Sequence, residues 1–277
     1  MRKCALIVGV ALSLGLAVTG AAGARHQATR IQITATLTSA EEVPAPKGDV
    51  AAARGTFTAS VSKSDTGGVM TWQLAFSNLS GNAIAAHVHI AARGQSGPVA
   101  VPLCTACSSG ASGTANITAA VLDAIQNDRA YVNVHTPTNP AGEIRGQVSP
   151  VATVRTSLTA RQEVPKPRGN VRRARGTFTA TVSKRGDSAV VTWRLTFSGL
   201  TGRAIAAHIH RGQRGRPGPV IVPLCAPCRS GVRGRATVDA SVLGALEAGR
   251  TYVNVHTRRN PAGEIRGQLG AVPLSIS

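Results

Sequence analysis

The chain is poor in aromatic and acidic residues. Only 3% of its 277 residues are Phe, Trp or Tyr, and 12 Asp and Glu stand against 31 Lys and Arg. So few aromatics provide no interleaved platform for stacked bases, which argues against single-strand and sequence-specific nucleic-acid binding. No Gly-x-Ser-x-Gly elbow, phosphate-cradling glycine loop or His-Glu-x-x-His motif occurs. The hydrolase, nucleotide and metalloprotease classes are thereby left without support, and a non-enzymatic protein is expected. Long apolar runs are scarce too. The stretch from Ala5 to Val18 is about 14 residues, short of the roughly 20 a membrane helix needs. With Arg2 and Lys3 before it and Ala22-Gly23-Ala24 after it, it reads as an export signal over residues 1–24. The expectation is a mature chain from Arg25, a short segment over 25–30, no membrane span, and a secreted, extracellular or cell-envelope location.

Cysteine is sparse, with five in all. Cys4 precedes the apolar run, which leaves Cys104, Cys107, Cys225 and Cys228. An even count in an exported chain favours disulfides. A thioredoxin-type dithiol would want its first Cys at a helix N-terminus, whereas Ser108-Ser109-Gly110 follows Cys107. One local bridge in each half, stiffening a loop, is expected.

The basic charge is confined to one half. Residues 31–150 hold six Lys/Arg against seven Asp/Glu, and residues 151–277 hold 21 against five. A fold that needed basic charge would carry it throughout. The second half is therefore expected to attract polyanions, with Arg168, Arg172, Arg173 and Arg175, and Arg211, Arg214 and Arg216, as the residues that do so. The partner would be an extracellular protein or an anionic envelope polymer. Coding bias is the competing explanation, because 19 of the 21 basic residues are Arg.

Self-similarity is the strongest signal. Glu42-Val43-Pro44 returns as Glu163-Val164-Pro165, Trp72 as Trp193, and Ala86-His87-Val88-His89 as Ala207-His208-Ile209-His210. Tyr131 to Thr136 returns as Tyr252 to Thr257, and Gly142 to Gln147 as Gly263 to Gln268, all offset by 121 residues. Two domains of one fold follow, over 31–150 and 151–277, joined near Ser149 to Val154. Within each, Met70, Trp72, Leu74 and Phe76 alternate with polar residues, the period of a strand. Val121, Leu122 and Ile125 have helical spacing after Thr118, a suitable N-cap. About seven strands with frequent Gly and Pro turns, plus one short helix, predict an all-β Greek-key sandwich or barrel in each half, Ig-like or superoxide-dismutase-like.

Period two sets His87 and His89 on one strand face, opposite Ile84, Ala86, Val88 and Ile90. A later strand carries Tyr131, Asn133 and His135 on its polar side, and the strand after it Glu143, Arg145 and Gln147. The expected hairpin gathers a His, a Glu and an Arg, and His208, His210, His256, Glu264 and Arg266 repeat it. Three imidazoles can hold copper or zinc in an open site. The same rings could instead bond carbonyls or the nearby Glu and order the loops.

These motifs together resemble the chordin-type domain, abbreviated CHRD. The Glu-Val-Pro, the Ala-Ala-His-x-His strand, Gly-Pro-Val before the Cys loop, and Tyr-Val-Asn-Val-His-Thr followed by Asn-Pro-Ala-Gly-Glu-Ile-Arg-Gly-Gln occur in order, twice. The resemblance implies an extracellular β domain with a binding role and names no ligand. A fainter similarity is to copper/zinc superoxide dismutases. It would make His87, His89 and His135 copper ligands and Arg145 an anion guide, but a zinc loop, a bridging histidine and a fourth copper ligand are missing.

Overall fold

The structure, a computed structural model, describes residues 30–275. The export signal and nearly all of segment 25–30 lie outside the described residues. Among those described, no helix is long and apolar enough to cross a membrane.

Each half is built from eight antiparallel strands. The first contains β1 (Arg30–Thr38), β2 (Arg54–Ser64), β3 (Gly67–Ser77), β4 (Ala85–Ile90), β5 (Val99–Thr105), β6 (Ala111–Thr118), β7 (Ala130–His135) and β8 (Ile144–Gln147). They are ordered β6-β3-β2-β1-β8-β7-β4-β5, so the chain repeatedly leaves one sheet for the other, as a Greek key does. The helix α1 (Ala119–Gln126) crosses between β6 and β7. Thr118 caps it by accepting the Val121 N–H. The second half repeats the series with β9 (Ser149–Thr159), β10 (Arg175–Arg185), β11 (Ser188–Ser198), β12 (Ala204–Arg211), β13 (Val220–Cys225), β14 (Val232–Val238), α2 (Ala240–Glu247), β15 (Thr251–Thr257) and β16 (Ile265–Leu269). Eight strands, rather than about seven, form each unit, with β6 and β5 at the two ends of the order.

Alternation places the core. In β3, Met70 and Leu74 are fully buried and Trp72 nearly so, while Thr71 and Gln73 face solvent. On β4, Ala86 and Val88 point inward as expected, but Ile84 precedes the strand and is 42% exposed. Buried apolar residues fall into two separate clusters, one spanning 31–148 and the other 154–274. Each is therefore a core of its own, where truncating Phe57 or Phe178 to Ala would cost about 3–5 kcal/mol.

The junction is a strand. At its start β9 pairs with β1, Ser149 opposite Thr34 and Val151 opposite Gln32. From Val151 onward the same strand pairs with β10, out to Thr159 opposite Arg175. One β ladder thus continues from the first unit into the second.

Candidate metal centre

The sheet β8-β7-β4-β5 turns one face to the core and the other to two covering loops. Register decides which side chains share that outer face. His87 lies opposite Asn133 and His89 opposite Tyr131, which puts His135 diagonal to His87. Diagonal neighbours on adjacent strands are within reach of ring side chains. His87 Nδ1 is 3.1 Å from His135 Nε2, and one donor nitrogen from each of His87, His89 and His135 lies within 4.8 Å of the others. The second domain repeats this with His208 Nδ1 3.1 Å from His256 Nε2, and His210 beside them.

Backbone carbonyls fix the tautomers. His89 Nδ1–H donates to the Gly97 carbonyl at 2.9 Å, and His135 Nδ1–H to the Pro140 carbonyl at 3.0 Å. A carbonyl only accepts, so in the neutral rings the proton is on Nδ1 and each Nε2 presents a lone pair. The Nε2 of His89, like that of His210, is buried without a hydrogen-bond partner. Burial lowers the pKa of all three rings, with the neighbouring histidines adding repulsion at His87 and His135. His208 is pushed down to about 4 by the same causes. The rings are therefore neutral near pH 7, the state a metal requires. With bonds of about 2 Å, donors sharing one ion sit roughly 3 to 4 Å apart. The closest pair meets this, and the widest separation exceeds it by less than about 1 Å, within the reach of a small ring rotation. The donor set, its half-buried edge at His87 and the orphaned nitrogens all fit a copper or zinc ion.

A second layer supports the rings. His89 stacks on Tyr131 with centroids 4.8 Å apart, and the Arg145 guanidinium lies 3.4 Å from the Tyr131 centroid. Arg145 is 1% exposed and donates to the carbonyls of Gln95 and Ala92. Two of its N–H groups thus hold the loop that covers the site, and its burial sets it as a support of that loop in place of the anion guide that the superoxide-dismutase likeness implied. Arg266 does the same with Gln213 and Arg216.

Glu143 is also elsewhere than expected. It precedes β8 and bonds Ser80, Thr136 and Asn139, away from the imidazoles. Burial pushes its pKa up, but these hydrogen bonds outweigh that and hold the carboxyl below the usual range. Glu264 repeats the arrangement with Thr201, Thr257 and Asn260. The buried carboxyl set against Asn133 and Arg145 is Glu42, from the repeated Glu-Val-Pro. Burial raises its pKa to about 7 against the pull of the Val43 N–H, Arg145 and Asn133, and its Oε2 is buried without a partner. Gly142, at φ +136°, leaves room for it, since a Cβ there would sit 2.4 Å from that oxygen. The recurrence of Glu-Val-Pro was the available signal; burial gave it meaning.

Cys104 bridges Cys107 and Cys225 bridges Cys228. Arg168, Arg172, Arg173 and Arg175 are all exposed. The last three line one concavity with Arg161 and Lys166. Of the other cluster, Arg211 is bound to Ser241, Arg214 reaches Gln162, and Arg216 is exposed.

The fold and these sites define a tandem all-β binding protein with a three-histidine cluster in each unit. The CHRD domain family model matches residues 33–148 and again 154–269. The chain belongs to that family. No curated protein and no solved structure matches it.

Proposed function

We propose that this is an exported, non-enzymatic binding protein that holds one copper or zinc ion in each domain. The observation that carries this is the pair of matched donor sets, each bringing three neutral imidazole nitrogens within 4.8 Å. Carbonyls aim two rings of each set from behind, the outer-layer support that metal-binding histidines generally have. Arg145, committed to carbonyls and to Tyr131, argues for holding an ion over turning over an anionic substrate. The leader-like residues 1–24 and the two disulfides support export.

Metal analysis of protein purified without a His tag, stripped with chelator and reloaded, tests the reading. Two ions per chain and a higher melting temperature on loading are expected. If stripped protein takes up neither copper nor zinc and its melting point does not move, the reading is wrong.

A second role is favoured by a separate observation. The excess basic charge of the second domain lines open concavities there, which supports attraction of an anionic polymer.

A further inference from the structure

A concavity of about 1060 Å³ lies in the second domain beside the Cys225–Cys228 bridge. Arg203, Arg229, Arg258 and Arg259 line it, and all four are exposed. It shares Phe197, Ser198 and Ser230 with a neighbouring concavity. That one in turn shares Thr159 and Arg175 with a third, lined by Arg161, Lys166, Arg172 and Arg173. Shared walls set the three hollows side by side, and together they are called the groove. No carboxylate lines any of them, and among the described residues no ion pair engages these cations.

The first domain is a built-in control. Its corresponding hollow is lined by Phe76, Leu79, Asn82, Cys107 and Ser108 among others, with no charged residue. At the 121-residue offset, Asn82, Ser108, Pro137 and Thr138 stand where the second domain has Arg203, Arg229, Arg258 and Arg259. Ala40, Ala45, Ala51 and Ala52 stand where it has Arg161, Lys166, Arg172 and Arg173. The same loops form without these cations, so folding does not require them.

We infer that this groove binds a linear acidic polysaccharide. The inference rests on the polyanion reading of the second domain and gives it a site and a ligand class. A row of cations without ion-pair partners along adjoining hollows matches charges repeated along a chain better than it matches one small anion. Half-buried Phe197 and Leu200, with exposed Ile205, supply an apolar wall for the C–H faces of sugar rings. A single aromatic offers no series of stacking platforms for bases, and a concave groove suits a flexible strand better than a lipid surface.

The test uses the full chain and fluorescently labelled polygalacturonate oligosaccharide, with binding followed by anisotropy at several salt concentrations. The variant Arg203→Asn, Arg229→Ser, Arg258→Pro and Arg259→Thr carries the first domain's residues. It should bind at least about tenfold more weakly, with a salt slope reduced by about 3. Arg233→Gln with Arg235→Gln, exposed on β14 and outside the groove, should change little. The reverse graft of Asn82→Arg, Ser108→Arg and Thr138→Arg should add a weaker second site, which keeps the test valid if the first variant folds poorly. If the groove variant and the Arg233/Arg235 variant lose binding equally, the groove assignment falls while polyanion attraction stands. If wild type fails to bind at low salt, both fall. Tighter binding of single-stranded DNA or of phosphatidylglycerol vesicles would overturn the polysaccharide assignment.

Discussion

The two domains keep one site and differ in what surrounds it. The imidazole pair is 3.1 Å apart in both, the bond to the Gly97 or Gly218 carbonyl is 2.9 Å in both, and the Arg-to-Tyr stack is 3.4 Å in both. Over the whole unit, the first domain holds six basic against seven acidic residues and the second 21 against five. The exchange reaches individual contacts: the Glu41–Arg93 ion pair of the first domain becomes a Gln162–Arg214 hydrogen bond in the second. Where a side chain is buried and orients a ring, a charge change leaves an unpaired group that costs several kcal/mol. An exposed loop position carries no such cost, and there the copies diverge freely.

The largest effect should come from the ligands themselves. His135→Ala and His256→Ala should each remove one of two bound ions, with affinity at the altered site down about 100-fold or more and the other site unaffected. Mass spectrometry of the intact loaded protein reads the count. Loss of both ions from one substitution would break the picture of two independent sites.

A pH dependence should follow from the buried carboxyls of the metal-free protein. Glu42 and Glu163 have pKa values raised to about 7 from the usual 4.5. Their stabilising contribution is complete below pH 4.5 and is lost as pH rises through 7, because the native state keeps a proton that the unfolded chain releases. Glu42→Gln and Glu163→Gln should each remove a loss on the order of 3 kcal/mol across that window. Chemical denaturation at a series of pH values measures it. The depressed histidines act with the opposite sign. Their contribution is present above about 6.5 and lost as pH falls toward the lowered values, about 4 for His208. A response confined to one domain would show that the equal geometry conceals unequal packing.

Next in size, Arg145→Lys or Arg266→Lys should destabilise its own domain by about 2 kcal/mol. An ammonium cannot keep two carbonyl bonds and a flat stack on tyrosine together. The disulfides should matter least. Each closes a loop of only four residues, Cys104 to Cys107 and Cys225 to Cys228, so Cys→Ala pairs should cost no more than about 2 kcal/mol of unfolding free energy. A larger loss in the second domain would mean that its bridge also shapes the arginine groove beside it.

Much of the fold was legible because strand period and burial are local properties. Met70, Trp72 and Leu74 announced their inward face, and Thr118 announced the helix start. The six histidines were legible as a set through their recurrence, and the facing of His87 and His89 through period two. The misreading of Glu143 has a local cause. Counting it as part of the last strand placed it beside Arg145, whereas the turn after Asn139 ends only at Gly142 and leaves Glu143 to bond that turn. Glu42 was hidden for the opposite reason. It lies some 90 residues from His135 in sequence, and its burial depends on a loop folding over the outer face of the sheet. The four arginines of the hollow beside the Cys225–Cys228 bridge were scattered between Arg203 and Arg259, with nothing in their spacing to unite them.

By itself the sequence determined the duplication, the alternation that makes strands, the cysteine pairs and the charge imbalance, since each can be read within a short window or by matching one half to the other. Only the tertiary structure decided that His135 meets His87, that Glu42 lies against Asn133 and Arg145, that the halves share a continuous strand, and that distant arginines line adjoining hollows. Those facts depend on inter-strand register and loop closure, which bring together residues whose separation along the chain carries no trace of their distance in space.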